Sequence, residues 1–125
     1  MKSESPWDAL DQELSLWSDL GTQATFWGRD DDAIRPTPAL NQLLTTSKQA
    51  NVPVCLSVIP AAYHPNLLKV LEANNAESSV AVHGWAHVDH SGQDEKKCEY
   101  PNNRELGTMI GEVEDGLKKL ERDFD

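Results

Sequence analysis

His83 and His87 stand four residues apart in His83-Gly84-Trp85-Ala86-His87, and three consecutive aspartates, Asp30, Asp31 and Asp32, stand far upstream. Imidazoles at that spacing can turn toward one cation if the backbone between them makes a helical turn. The pattern is not that of the His-Glu-x-x-His peptidases, because Gly84 holds the position of their glutamate, so any base must come from elsewhere. The aspartate run can supply both missing parts. A divalent metal on two neutral imidazoles needs a hard anionic ligand and an open position for water. One carboxylate meets the first need. The metal lowers the pKa of its water to about 7, and a neighbouring carboxylate can then take the proton as water attacks a carbonyl. Adjacent aspartates divide these roles only if the alternation of a strand breaks between them. Alone, an acidic triplet is most often a solvated loop or a helix cap, and a pair of histidines is most often structural. Their joint placement is what favours a site.

That placement follows from the elements around them. Ser5-Pro6-Trp7-Asp8 reads as a capping box opening a helix, with Trp7, Leu10, Leu14, Trp17 and Leu20 on one face packing into the core and Gly21 as its cap. Residues 1–22 are thus an N-terminal helical extension. Residues 24–29 form a β-prone segment running straight into the aspartates. Thr37-Pro38 repeats the cap-plus-proline signature before a leucine-bearing helix toward Gln49. Residues 54–59 are a continuous apolar run, as in a strand covered on both faces, and include Cys55 as a small buried hydrophobe. A helix from Pro65, a strand over 79–82 and the histidine segment follow. Residues 89–102 read as a long polar loop, and Leu106, Ile110, Val113, Leu117, Leu120 and Phe124 share one face of a final helix. Strand–helix repeated three times predicts an α/β domain with a parallel sheet, where ligands gather at the carboxyl ends of the strands. Both candidate segments fall there.

The chain has 125 residues, enough for one domain with a real core. With 21 Asp and Glu against 11 Lys and Arg, a net charge of −10, it offers no footprint for a phosphate backbone or an anionic membrane. Neither nucleic acid nor membrane is an expected partner. The first residues lack the apolar segment of a signal peptide and no run approaches a membrane span, which predicts a cytoplasmic protein. Cys55 and Cys98 form no Cys-x-x-Cys motif.

Arg29-Asp30-Asp31-Asp32-Ala33, followed by Thr37-Pro38 and the leucine-rich helix, resembles the Thr-Phe-Asp-Asp-Gly motif of the NodB-like polysaccharide deacetylases. His83-Gly84-Trp85-Ala86-His87 resembles their His-Ser/Thr-x-x-His motif, with Gly84 in place of the hydroxyl residue. The triplet permits two registers, Asp30/Asp31 or Asp31/Asp32, and the second matches Asp-Asp-Gly with Ala33 at the small-residue position. The resemblance then implies that Asp31 is the catalytic base and that Asp32, His83 and His87 bind a divalent metal, zinc by preference. It implies hydrolysis of an N- or O-acetyl group on an acetylated carbohydrate, with Trp85 a candidate substrate contact. It covers residues 24 to 124, the first half of the family's distorted (β/α) barrel. A closed barrel of this type takes about 200 residues or more, so the chain reads as a single partial domain truncated to about half. The family's arginine-proline segment and distal acid histidine would follow residue 125. An incomplete barrel exposes a sheet edge, so self-association is an expected route to covering it.

The alternative reading is a non-catalytic metal- or glycan-binding module, or a partner-dependent fragment. His90, Lys96, Lys97 and Glu99 read most simply as solvated loop residues, and His64 as a helix-start residue with no role in chemistry.

Overall fold

The structure, a computed structural model, describes residues 5–74 and 78–124. Seven elements follow one another: α1 (Asp8–Asp19), β1 (Gly28–Ala33), α2 (Pro38–Ala50), β2 (Val54–Val58), α3 (Asn66–Asn74), β3 (Ser78–Val82) and α4 (Leu106–Phe124). The three strands pair in parallel in the order β1-β2-β3, one open α/β sheet among the described residues. Parallel neighbours need crossovers, which α2 and α3 supply.

The middle strand explains the core. Leu56 and Val58 of β2 are fully buried, as the continuous apolar run predicts for a strand covered on both faces. Leu40 and Leu44 of α2, Leu67 of α3 and Leu120 of α4 close over it, joined by Ala33 at the end of β1. Removing a leucine side chain of this kind from water contributes about 1.5–3 kcal/mol. Thr37 caps α2 by accepting from the Leu40 N–H, with Pro38 next to it, and Asn51 ends the helix in the left-handed conformation at φ 53°. The α2–β2 turn is closed by the Ser47 hydroxyl donating to the Val52 carbonyl at 2.5 Å. Helix α4 comes close to the sheet at Gly116, where a Cβ would stand 3.0 Å from Pro60 Cγ and 3.3 Å from Val82 Cγ1.

Several expectations are corrected. The first strand covers Gly28–Ala33, so residues 24–27 lie before it and the aspartates are its third to fifth residues. Pairing decides this: Gly28 aligns with Val54, the first residue of β2, and nothing upstream has a strand to join. The face of α1 was expected in the core, yet this helix buries none of its residues. The expected capping box forms only in part: the Ser5 N–H donates to Asp8 at 2.8 Å, but the helix starts at Asp8 with Trp7 at its N-cap and no side-chain bond there, while Gly21 follows its end at φ 66°. On α4, Leu120 is buried, whereas Leu106, Ile110, Val113 and Leu117 remain exposed. The contact at Gly116 brings only the last turns onto the sheet. Cys55 is half-buried, not buried. No helix among the described residues is long and apolar enough to cross a membrane.

Candidate metal centre

Strand β1 does not run straight. Asp30 aligns with Leu56 and Ala33 with Val58, so three steps on β1 match two on β2. The extra residue is a bulge. Asp32 takes up the distortion at φ 63°, a left-handed conformation that aspartate tolerates better than most residues. The alternation therefore breaks at Asp32. Asp30 stays half-buried within the paired part of the strand.

Strand β3 delivers the histidines, but no helical turn follows it. Residues 83–87 form a tight turn with left-handed residues at Gly84 (φ 61°) and His87 (φ 56°). The His83 and His87 rings stack at 4.9 Å between centroids and 26° between planes. Asp32 Oδ1 lies 3.0 Å from His83 Nε2 and 3.4 Å from His87 Nε2. One ligand atom from each residue falls within 4.8 Å of the others. The cluster opens to solvent: Asp32 and His87 are more than half exposed.

Asp31 points to different company. Arg29, two residues earlier and hence on the same strand face, grips it with Nε 2.9 Å from Oδ1 and Nη2 3.0 Å from Oδ2. Hydrogen bonding by the Ser57 hydroxyl of β2 and then by Arg29 outweighs the cost of burial and holds its carboxyl below the usual carboxylate range.

The turn is fixed by Glu99. Its Oε1 accepts from three successive backbone N–H groups, those of Trp85 (3.2 Å), Ala86 (2.7 Å) and His87 (3.0 Å). Arg104 donates to the Glu99 carbonyl and makes a two-pronged pair with Glu112 of α4 at 2.5 and 2.8 Å. Asp89 folds the intervening loop by accepting from the Ser91 hydroxyl and N–H and from the Cys98 N–H, which lowers its pKa to about 2. Neighbouring loops knit the rim together. Ala61 N–H donates to the Trp85 carbonyl at 2.9 Å, His83 N–H to the Val58 carbonyl at 2.9 Å and His64 N–H to the Ile34 carbonyl at 2.7 Å.

The structure thus brings Asp32, His83 and His87 together, and sets Asp31 beside them on β1. Trp85 is half-buried and is tied to the site through its backbone. A depression of about 270 Å³ lies along Asp30, Asp31, Asp32, Arg35 and Thr37. The larger groove, about 700 Å³, lies between α3, β3 and α4 and touches none of Asp32, His83 and His87. His90, Lys96 and Lys97 are exposed, and His64 Nδ1 accepts from the Asn66 N–H at the start of α3. Sequence reasoning missed Arg29 and Ser57 as partners of Asp31, and left Glu99 as a solvated residue. The two-residue step from Arg29 to Asp31 was a usable signal. For Glu99 the only sign was the glycine between the histidines. The chain matches no protein-family model, no curated protein and no solved structure.

Proposed function

We propose that the chain is a metal-dependent hydrolase of the NodB-like polysaccharide deacetylase kind, acting on an N- or O-acetyl group of a carbohydrate. In this reading its three strands belong to the distorted (β/α) barrel of that family. The observation that carries it is the spacing of Asp32 Oδ1 from the two histidine Nε2 atoms, 3.0 and 3.4 Å. Zinc bonds of about 2.0–2.2 Å in a tetrahedron set neighbouring donors roughly 3.3 Å apart, and the two separations from Asp32 are compatible with an ion of that size. Asp32, His83 and His87 would hold it. A divalent cation, when bound, supplies Lewis acidity that polarises a carbonyl and makes nearby water more acidic.

The remaining work falls to the chain's own residues. Asp31 is kept ionised by Ser57 and Arg29 and is oriented by the Arg29 guanidinium, so it is ready to accept a proton from attacking water. Trp85 and the depression beside Arg35 and Thr37 are the surfaces offered to the acyl sugar. The firm pairing of Asp31 with Arg29 favours a second reading, a metal- or glycan-binding module without turnover, because a carboxylate with a depressed pKa is a weaker base.

Calorimetry on the metal-free protein tests the site. One zinc per chain is expected, with binding lost in His83→Ala, His87→Ala and Asp32→Ala and retained in Asp31→Ala. Turnover of an acetyl ester should then fall about 10²–10⁴-fold in Asp31→Ala. Zinc binding with no turnover by the wild type selects the second reading. A folded wild type that binds no zinc overturns both as metal proteins.

A further inference from the structure

We propose that Glu99 is the positioning residue of the histidine turn, and that position 84 is glycine because the Glu99 carboxylate stands where a side chain would begin. The proposal rests on the metal-site reading above. Three successive N–H groups converge on the single oxygen Oε1 at 2.7–3.2 Å. Successive amides flanked by left-handed residues make a concave anion cradle, and here Gly84 and His87 supply the left-handed ends at φ 61° and 56°. Hydrogen bonds to an ionised acceptor are roughly twice as strong as neutral ones. The cradle is therefore filled from within the chain.

Its geometry bears directly on the ligands. One of the three donors is the N–H of His87, so the carboxylate fixes the backbone from which that imidazole leaves the chain. A Cβ on residue 84 would stand 1.8 Å from Glu99 Oε2, so a side chain there would push the carboxylate out of its place in the cradle, on top of the strain that φ 61° puts on any residue with a Cβ. Glu99 is itself anchored, through its carbonyl and Arg104, to Glu112 on α4. The histidines are thus held by a carboxylate that bonds to the backbone of the turn and not to either imidazole. Outer partners of this kind are typically worth 10–100-fold in metal affinity.

The test compares zinc affinity and amide hydrogen exchange at residues 85–87, the latter on metal-free protein, in the wild type, Glu99→Ala, Glu99→Gln and Gly84→Ala. Glu95→Ala serves as the control, since Glu95 makes a similar loop bond to the Gly92 N–H without touching the turn. Glu99→Ala is expected to bind zinc about 10–100-fold more weakly and to exchange the three amides faster. Excess formate, a carboxylate small enough to enter the emptied cradle, should restore both. Glu99→Gln should fall between, Gly84→Ala should lose at least as much as Glu99→Ala because its left-handed backbone is strained as well, and Glu95→Ala should match the wild type. Unchanged affinity and exchange in Glu99→Ala would overturn the proposal. So would a loss that neither formate nor glutamine recovers, which would assign Glu99 a general structural part. If the wild type binds no zinc, the metal reading falls, and the exchange of the three amides alone decides whether Glu99 fills the cradle.

Discussion

Around the strand ends, backbone groups from separate loops find partners in one another: His64 on Ile34, Ala61 on Trp85, His83 on Val58, and three amides on Glu99. Helix α1 has bonds of a different range. Ser5 pairs with Asp8, the Ser15 hydroxyl with the Asp11 carbonyl and the Trp17 indole with Glu13, all within four residues, and no residue of the helix is buried. The difference teaches that apolar periodicity can specify a helix but says nothing about whether its apolar face meets a partner. The rim is specified by long-range partners, so a change there reaches the site. A change on α1 stays local.

The largest expected effect comes from the core beneath the rim. Leu56→Ala removes a fully buried side chain from the middle strand and should cost about 2–5 kcal/mol, read by chemical denaturation. A cost below about 1 kcal/mol would mean that the sheet does not organise the domain as described.

A pH effect comes next, where the rim meets α4. Tyr63, in the loop after β2, donates to Asp123 of α4. The Arg122 guanidinium and then the Tyr63 hydroxyl lower the Asp123 pKa to about 2 from 3.8. Burial, followed by Asp123, raises that of Tyr63 from 10.0 to about 12. A depressed carboxyl binds fewer protons folded than unfolded, so its stabilisation is complete above pH 3.8 and is lost as pH falls toward 2. A raised phenol binds more protons folded, so its stabilisation is complete below pH 10 and is lost as pH rises toward 12. Asp123→Asn should flatten the dependence of the unfolding midpoint in the acid window, and Tyr63→Phe in the alkaline one. Equal slopes in variant and wild type would remove this contact from the account.

The smallest effect belongs to α1. Leu14→Ala, which deletes the same atoms as Leu56→Ala, should change stability by less than about 0.5 kcal/mol, because Leu14 is exposed. A loss near that of Leu56 would mean that α1 is covered in solution, and the contrast between the two regions would disappear.

Much of the rim was readable in advance because its signals are local. Thr37-Pro38 names a helix start whatever surrounds it, and residues 54–58, apolar at every position but Ser57, read as a strand between two layers. Asp32, His83 and His87 could be grouped because a parallel sheet collects strand ends on one side. The rest depended on distant partners. Where β1 begins is set by Val54, not by residues 24–27. The exposed stripe of α4 arises because Gly116 fixes where that helix touches the sheet. Glu99 reaches the turn through a loop whose folding rests on Asp89 and Arg104, and no period in the sequence announces such a route.

The order of the strands has a consequence for the path by which the chain folds. Asp32 lies on one outer strand and the histidines follow the other, with β2 between them. A cation shared among these three residues would therefore act as a staple across the whole sheet, and its seat would exist only after both crossovers had been completed. Such a bond forms late, after the slow non-local pairing. Interactions absent from the transition state slow unfolding and leave the folding rate nearly unchanged, so saturating zinc should lengthen the lifetime of the native chain without hastening its assembly.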